Sequence, residues 1–204
     1  MPQLTVSHAP PRDRAPRNAP LDASLRGYLE TNADIVTHIT KPVAIENVGA
    51  LSAQSDLPIV FENIVEKPGF RICDILVKSR ATQARALGVS PADYLKTLAY
   101  RLRKPPRPLK HVAGGPVKEV VRLGSDIDWT VLPVPRHKPK DKHPYVTAMN
   151  IVKDPETGFY NSSHAGTQVV GPRRGLSSFA TPHTHAIIRK YIELGHSHMP
   201  LAFV

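Results

Sequence analysis

The chain has 204 residues, of which 41% are hydrophobic and 22% charged, enough for one large domain or two small ones with a real core. The formal net charge of +10 suggests nucleic-acid binding, but the basic stretches lack interleaved aromatics, zinc-finger spacing and RNP-type motifs, so a solvated basic face is favoured. No apolar run reaches the roughly 20 residues that span a bilayer, and the N-terminus has no apolar signal-peptide core. The single cysteine excludes an intrachain disulfide. We therefore expect a cytoplasmic protein without a membrane span.

The N-terminal residues predict an arm followed by a helix. Residues 1–20 are rich in Pro, Arg and Ala and have little to bury, which is typical of a disordered basic arm. Leucines then recur at helical spacing and predict a short amphipathic helix over residues 22–30. Asp22 and Ser24 are its candidate N-caps.

Strands and a helix alternate in the next part of the chain. Three stretches rich in β-branched residues predict strands, at residues 34–40, 58–65 and 70–79. Cys73 lies in the third and is expected to be a small core residue, with a nucleophile as the less favoured alternative. Ser90 as N-cap and Pro91 at the first helical position predict a helix that ends near Lys104. The alternation indicates an α/β domain over residues 21–115.

A second domain is expected over residues 116–204, and its clearest feature is a hairpin. The sequence KDPETG at residues 153–158 predicts a turn, because Pro155 presets φ and Gly158 supplies a positive-φ position. Its two flanks should pair antiparallel. They cover residues 145–152 and 159–170.

The residues after the hairpin combine a polar stretch, a helix and a short apolar end. A helix is predicted over residues 185–195, with Gly195 at its C-terminal end, and residues 199–204 are expected to begin a buried strand. Asn161 admits two interpretations, a turn residue or a metal ligand. His183 likewise admits a plain residue at the helix start or a ligand.

The other histidines are expected in solvated loops. The pairs His183–His185 and His196–His198 flank a helix of about ten residues, which separates them by roughly 15 Å at 1.5 Å per residue. One metal site that all four histidines share is therefore disfavoured.

An ordered set of motifs resembles the UbiD-type decarboxylases, the enzymes that use prenylated FMN. The motifs are IDWTVLPVP, the hairpin YVTAMNIVKDPETGFYN, TPHTH before a helix, and GHSHMP after it. The resemblance extends from about Leu21 to Val204. It implies an α/β N-terminal domain followed by part of a flavin-reductase-like split β-barrel (α+β), so residues 116–204 would form an incomplete prenylated-FMN-binding domain.

The resemblance implies roles for five residues. Asn161 and His183 match the family's ligands to the divalent metal at the cofactor phosphate. This metal would be Mn or Mg, with K as a further candidate cation. Amide oxygen and imidazole are suitable ligands for such a cation, and other positions are left for phosphate and water. His164 and Ala165 match the strand that lies against the flavin, and Thr147 lies on the facing strand.

The sequence departs from the family at Gly166, where the family places an arginine that binds the substrate carboxylate. Arg173 and Arg174 follow in what resembles an exposed turn, and substitution by either is the less favoured alternative. The family's third metal ligand and its catalytic glutamates would lie beyond Val204. No catalytic residue is therefore assigned within the chain.

In the family the reaction is non-oxidative decarboxylation of an aromatic or α,β-unsaturated carboxylic acid. The implied partners are a small carboxylic acid and either further copies of the chain or a complementary C-terminal chain. A non-catalytic flavin- or metal-binding homologue, or a split subunit, is the alternative. A basic nucleic-acid-binding protein is a less favoured third hypothesis.

Overall fold

A computed structural model describes residues 24–105, 108, 111–138 and 140–204. The predicted N-terminal arm and the candidate cap Asp22 lie outside these ranges. The chain forms two compact units that meet in sequence between Val121 and Arg122. None of the helices within the described ranges has the length and apolar character that a bilayer crossing requires.

The described residues of the first unit form four α-helices and three strands. They are α1 (Leu25–Thr31), β1 (Thr37–Ile39), α2 (Val48–Ser52), β2 (Ile59–Phe61), β3 (Ile72–Asp74), α3 (Arg80–Ala86) and α4 (Tyr94–Leu102). The second unit contains four strands and one helix. They are β4 (Tyr145–Lys153), β5 (Tyr160–Gly171), β6 (Arg174–Ser178), α5 (Pro182–Glu193) and β7 (Leu201–Phe203). Four single-turn 3-10 helices complete the described elements, at Ile45–Asn47, Pro116–Lys118, Gly124–Asp126 and Trp129–Val131.

The first unit is built on a three-stranded mixed sheet in the order β1-β2-β3, which confirms three strands among α-helices. β1 pairs parallel with β2, and β2 pairs antiparallel with β3. All three residues of β2 are buried, because this central strand is covered on both faces. Phe61 is fully buried in a cluster with aliphatic side chains. These are Ile39, Val43, Val48, Ile59 and Ile64.

The third strand is much shorter than the sequence predicted. It ends at Asp74 because Ile75 has a φ of 50°, a left-handed conformation that a β-branched residue rarely adopts and that no strand can continue. Ser79 then caps α3, a helix that the sequence analysis did not anticipate. Cys73 is only half-buried, and burial raises the pKa of its thiol above the ordinary value, which disfavours a thiolate nucleophile.

The helices of the first unit correct two further expectations. Ser24 caps α1 by accepting a hydrogen bond from the backbone of Gly27, as predicted. α4, however, begins at Tyr94 rather than at Pro91. The reason is that Ser90 closes a separate turn by accepting from the backbone of Asp93, so residues 91–93 form a turn before the helix.

The second unit is built on a curled, fully antiparallel sheet in the order β6-β5-β4-β7. The predicted hairpin is confirmed: Lys153 pairs with Tyr160, and the turn between them has Gly158 at a φ of 74°. Asp154 closes the turn with its carboxylate, which accepts from the backbone amides of Glu156 and Thr157. The strand–turn–strand pattern could therefore be predicted from the local sequence.

The final helix and strand differ in detail from the prediction. α5 begins at Pro182, so His183 and His185 both lie in its first turn. β7 forms a strand as expected, yet it is exposed rather than buried. It pairs with β4 along one edge only, and among the described residues no further strand pairs with its other edge.

Candidate functional site

Strand alternation divides the candidate site residues between two faces of the second sheet. Successive side chains of a strand point to opposite faces, and along β5 the burial alternates accordingly. Asn161 and Ala165 belong to the buried face, which α5 covers at the Asn161 end. Thr147 and His164 belong to the opposite, exposed face. The structure therefore does not bring these four predicted residues together around one point.

Asn161 and His183 do line one cavity, at the start of β5 and the first turn of α5. The cavity has a volume of about 270 Å³. Asn161 is 8% exposed, whereas His183 is exposed. The remaining lining residues are Ser162, Ser163, Thr181 and Pro182. Polar side chains thus surround a recess at a helix N-terminus, where anions are favoured by the free amide groups and the helix dipole.

The hydroxyl of Thr184 fixes the orientation of Asn161. Thr184 is fully buried, and its Oγ1 accepts from Nδ2 of Asn161 at 3.1 Å and from the Thr181 hydroxyl at 2.8 Å. A hydroxyl has two acceptor positions and one proton, so the 3.0 Å contact with Ser163 must be a donation by Thr184. All hydrogen-bonding capacity of Thr184 is then used.

This orientation leaves the Oδ1 atom of Asn161 available to coordinate a cation. Oδ1 has no hydrogen-bond partner among the described residues, and it belongs to the same cavity wall as the imidazole of His183. An amide oxygen, an imidazole and neighbouring hydroxyls form a donor set that fits a hard or borderline divalent cation. No group of three or more His, Cys, Asp or Glu able to hold a metal occurs in the described ranges, so a cation here would need additional ligands.

An ion-pair network holds α5 against the hairpin turn. Lys190 of α5 contacts Asp154 at 2.8 Å and Glu156 at 2.7 Å. The hydrogen bond from Lys190 is the main cause that lowers the pKa of Asp154 to about 2, and the same bond raises the pKa of Lys190. The network lies two turns along α5 from His183 and fixes the helix whose first turn forms the cavity wall.

On the exposed face, Gly166 is covered by an aromatic ring. Gly166 pairs directly with Thr147, and Tyr145 lies two residues before Thr147 on the same face. A Cβ atom placed on Gly166 would overlap the hydroxyl and ring of Tyr145. A side chain at position 166 would therefore require the Tyr145 ring to move from this position.

The two arginines considered as substitutes lie elsewhere on the sheet. Gly166 pairs with Ser178 of β6, whereas Arg174 is four residues earlier on that strand, about 13 Å away at roughly 3.3 Å per residue. Arg173 lies in the β5–β6 turn, and both side chains are exposed. Neither arginine replaces a side chain at position 166.

The remaining histidines are placed away from the cavity wall. His185 is exposed on α5. His196 follows the helix, and the centroids of its ring and the Tyr191 ring are 5.4 Å apart. Nδ1 of His198 is 3.1 Å from the hydroxyl of Ser197.

Three residues of these two regions were not singled out by sequence reasoning. Ser163 and Thr184 belong to the Asn161 network, and Tyr145 covers Gly166. Alternation along β5 could have identified Ser163, because it lies two residues from Asn161 on the same face. No local sequence pattern indicates Thr184 or Tyr145, because the residues that they contact, Asn161 and Gly166, are distant in sequence.

Comparison with known proteins gives a consistent result. Residues 110–204 match the UbiD family model, described as the 3-octaprenyl-4-hydroxybenzoate carboxy-lyase Rift-related domain. Anhydromevalonate phosphate decarboxylase of Methanosarcina mazei is 30% identical over 180 residues, which cover 87% of this chain and 40% of that protein. An uncharacterised protein from the cooM 5′ region of Rhodospirillum rubrum is 45% identical over 64 residues, 31% of this chain and 13% of that protein.

Solved structures show the same relationship. The UbiD-class enzyme HmfF from Pelotomaculum thermopropionicum, in complex with FMN, is 28% identical with a TM-score of 0.77, covering 87% of this chain and 40% of HmfF. An evolved dimeric form of HmfF in complex with prFMN is 29% identical with a TM-score of 0.79, covering 89% of this chain and 44% of that protein. The chain thus spans about 40% of the length of these relatives.

Proposed function

We propose that the chain, whose residues 110–204 match the UbiD family model, supplies part of the site of a prenylated-FMN-dependent carboxy-lyase. The reaction would be non-oxidative decarboxylation of an aromatic or α,β-unsaturated carboxylic acid. We also propose that residues 21–115 form the family's α/β domain. Residues 116–204, with the curled sheet, would form part of its flavin-reductase-like split β-barrel.

One observation carries this proposal: Asn161 and His183 meet in one polar cavity at the N-terminus of α5. These are the two residues that the resemblance assigns to the metal at the cofactor phosphate. In the proposed complex, Oδ1 of Asn161 and the imidazole of His183 would bind Mn or Mg, with K as a further candidate cation nearby. The hydroxyl of Ser163 and the amides that begin α5 would bind phosphate oxygens.

The bound prenylated flavin would accept electron density as the carbon–carbon bond to the carboxylate breaks. The chain's own residues would orient it and exclude water from one side. Ala165 would contribute to the wall on the cavity side of the sheet, and Thr147 and His164 would contact the ring from the exposed face. A group that protonates the product is not among the residues to which we assign a role.

We propose that the assembly contains further copies of the chain or a complementary chain. Both outer strands of the second sheet have free edges within the described residues, and β7 exposes Leu201. Unpaired strand edges favour pairing with another chain. The related HmfF has been solved as an evolved dimeric form.

The decisive experiment measures retention of FMN and manganese. The full chain would be incubated with FMN and Mn²⁺, passed through a desalting column, and assayed for bound flavin by absorbance and for metal by elemental analysis. We expect Asn161→Ala and His183→Ala each to lower retained manganese by at least tenfold, as loss of one of two protein ligands predicts.

The matched control is His185→Ala, because His185 is the same residue type in the same helical turn and is also exposed, but it lies outside the cavity lining. It should retain both ligands as the unaltered chain does. Absence of any flavin or manganese in the unaltered chain would contradict the proposed function. Equal losses in all three variants would contradict the assignment of Asn161 and His183.

A further inference from the structure

The hydroxyl of Tyr145 is held in place by contacts around the rest of its residue. Its backbone amide donates to the carbonyl of Pro135 at 3.1 Å, and its own carbonyl is 3.0 Å from Nε2 of His137. A carbonyl can only accept, so His137 carries a proton on Nε2. The rings of His137 and Tyr145 meet edge to face with centroids 6.1 Å apart.

The Tyr145 side chain crosses from its own strand to lie over Gly166. Tyr145 pairs with Gln168, and its ring leans across to the next residue of β5 on the same face, where only a glycine leaves room. A diagonal approach of this kind is within reach of an aromatic side chain on paired strands. The hydroxyl therefore occupies a defined position on the sheet.

This hydroxyl has no hydrogen-bond partner among the described residues, and Tyr145 is half-exposed. Thr147 is the direct partner of Gly166, and His164 lies two residues from it, about 7 Å along the same face. Along β4 and β5 the one lysine or arginine is Lys153. It is six residues from Thr147, about 20 Å along the strand.

We propose that the Tyr145 hydroxyl is a substrate-contacting, specificity-determining group, which donates a hydrogen bond to a carboxylate oxygen of the acid. This inference rests on the proposed function, which places the flavin ring against Thr147 and His164. A ligand bound on that face would contact the Tyr145 hydroxyl, and no lysine or arginine of β4 or β5 lies near it. The two strands thus offer the carboxylate a hydrogen bond from Tyr145 and no cationic side chain nearby.

The test is Tyr145→Phe, which removes one oxygen and keeps the ring over Gly166. The full chain would be loaded with FMN and Mn²⁺ and titrated with benzoate and with cinnamate by calorimetry. Loss of a hydrogen bond to a charged acceptor should weaken binding by about tenfold or more.

The matched control is Tyr160→Phe, because Tyr160 is an exposed tyrosine on the same face of the sheet as Tyr145, at the end of β5 that is distant from Gly166. It should bind both acids as the unaltered chain does. Equal affinity of Tyr145→Phe and the unaltered chain would overturn the inference and leave the proposed function standing. A chain that retains FMN but binds neither acid would also overturn it, and a chain that retains no FMN would overturn both.

The geometry has its own check that needs no ligand. Gly166→Ala should destabilise the chain, and it should do so far less in a Tyr145→Ala background, because the overlapping ring is then absent. Additive effects of the two substitutions on the urea unfolding midpoint would show that Tyr145 does not lie over Gly166, which would also overturn the inference.

Discussion

Replacement of Thr184 by valine tests whether the buried hydroxyl network organises the cavity. Valine has nearly the same shape as threonine, so the substitution removes the hydroxyl and leaves the packing. Three hydrogen bonds are lost, to Asn161, Ser163 and Thr181. Thr184 is 0% exposed, so water cannot take the place of the missing group.

The expected loss of stability follows from which partners stay buried. Asn161 is 8% exposed and Ser163 is 7% exposed, so each keeps a largely buried polar group with one partner fewer. A buried polar group left without its partner costs about 1–3 kcal/mol. Thr181 is half-buried and can turn toward water. The expected destabilisation of Thr184→Val is therefore about 3 kcal/mol.

The assay is urea unfolding followed by tryptophan fluorescence. The chain has a single tryptophan, Trp129, which packs against the second sheet, so its emission reports the unit that contains Thr184. Thr184→Ser is the control, because it keeps the hydroxyl and loses one methyl group, at about 1 kcal/mol. If the valine variant were no less stable than the serine variant, the network would not contribute to stability and the reasoning would be wrong.

Two further predictions concern the same unit. Gly175→Ala should destabilise it by about 1–3 kcal/mol, since a Cβ there would lie 2.5 Å from Cη2 of Trp129. Gly171→Ala in the same unit, where the nearest atom to a Cβ is 3.9 Å away, should have little effect in the same urea assay. The hydrogen bond from Lys190 lowers the folded-state pKa of Asp154 from 3.8 to about 2. The ionised Asp154 carboxylate therefore stabilises the fold above about pH 4, and this contribution is lost as the pH falls from about 4 to 2. Asp154→Asn should therefore flatten the pH dependence of the unfolding midpoint across that window, and an unchanged slope would contradict the prediction.

Elements with strong local signals could be predicted from the sequence. The β4–β5 hairpin followed from a proline and a glycine at fixed turn positions, and α1 followed from Ser24 and the spacing of leucines. Their boundaries are set by neighbouring residues in the chain, which is the information that a sequence displays directly.

Features for which the local sequence allows two outcomes could not be predicted. The strand that was expected through residue 79 ends at Asp74, because Ile75 has a conformation that no propensity scale would assign to isoleucine. The start of α4 depends on a competing local turn closed by Ser90, and β7 is exposed although its residues are apolar. In each case residue preferences alone do not select between the two outcomes.

The sequence resemblance likewise did not predict which face of the sheet each candidate site residue occupies. This division affects how a ligand would be bound. Asn161 and His164 are three residues apart on one strand, and an odd separation places their side chains on opposite faces. Matching each residue to a family position gave no information about this division. Metal binding and ring binding should therefore be separable properties: substitutions at Asn161 act through the cavity beside α5, whereas substitutions at Tyr145 act on the other face. A variant set that lost both functions together at every position would indicate that the division between faces has no functional meaning.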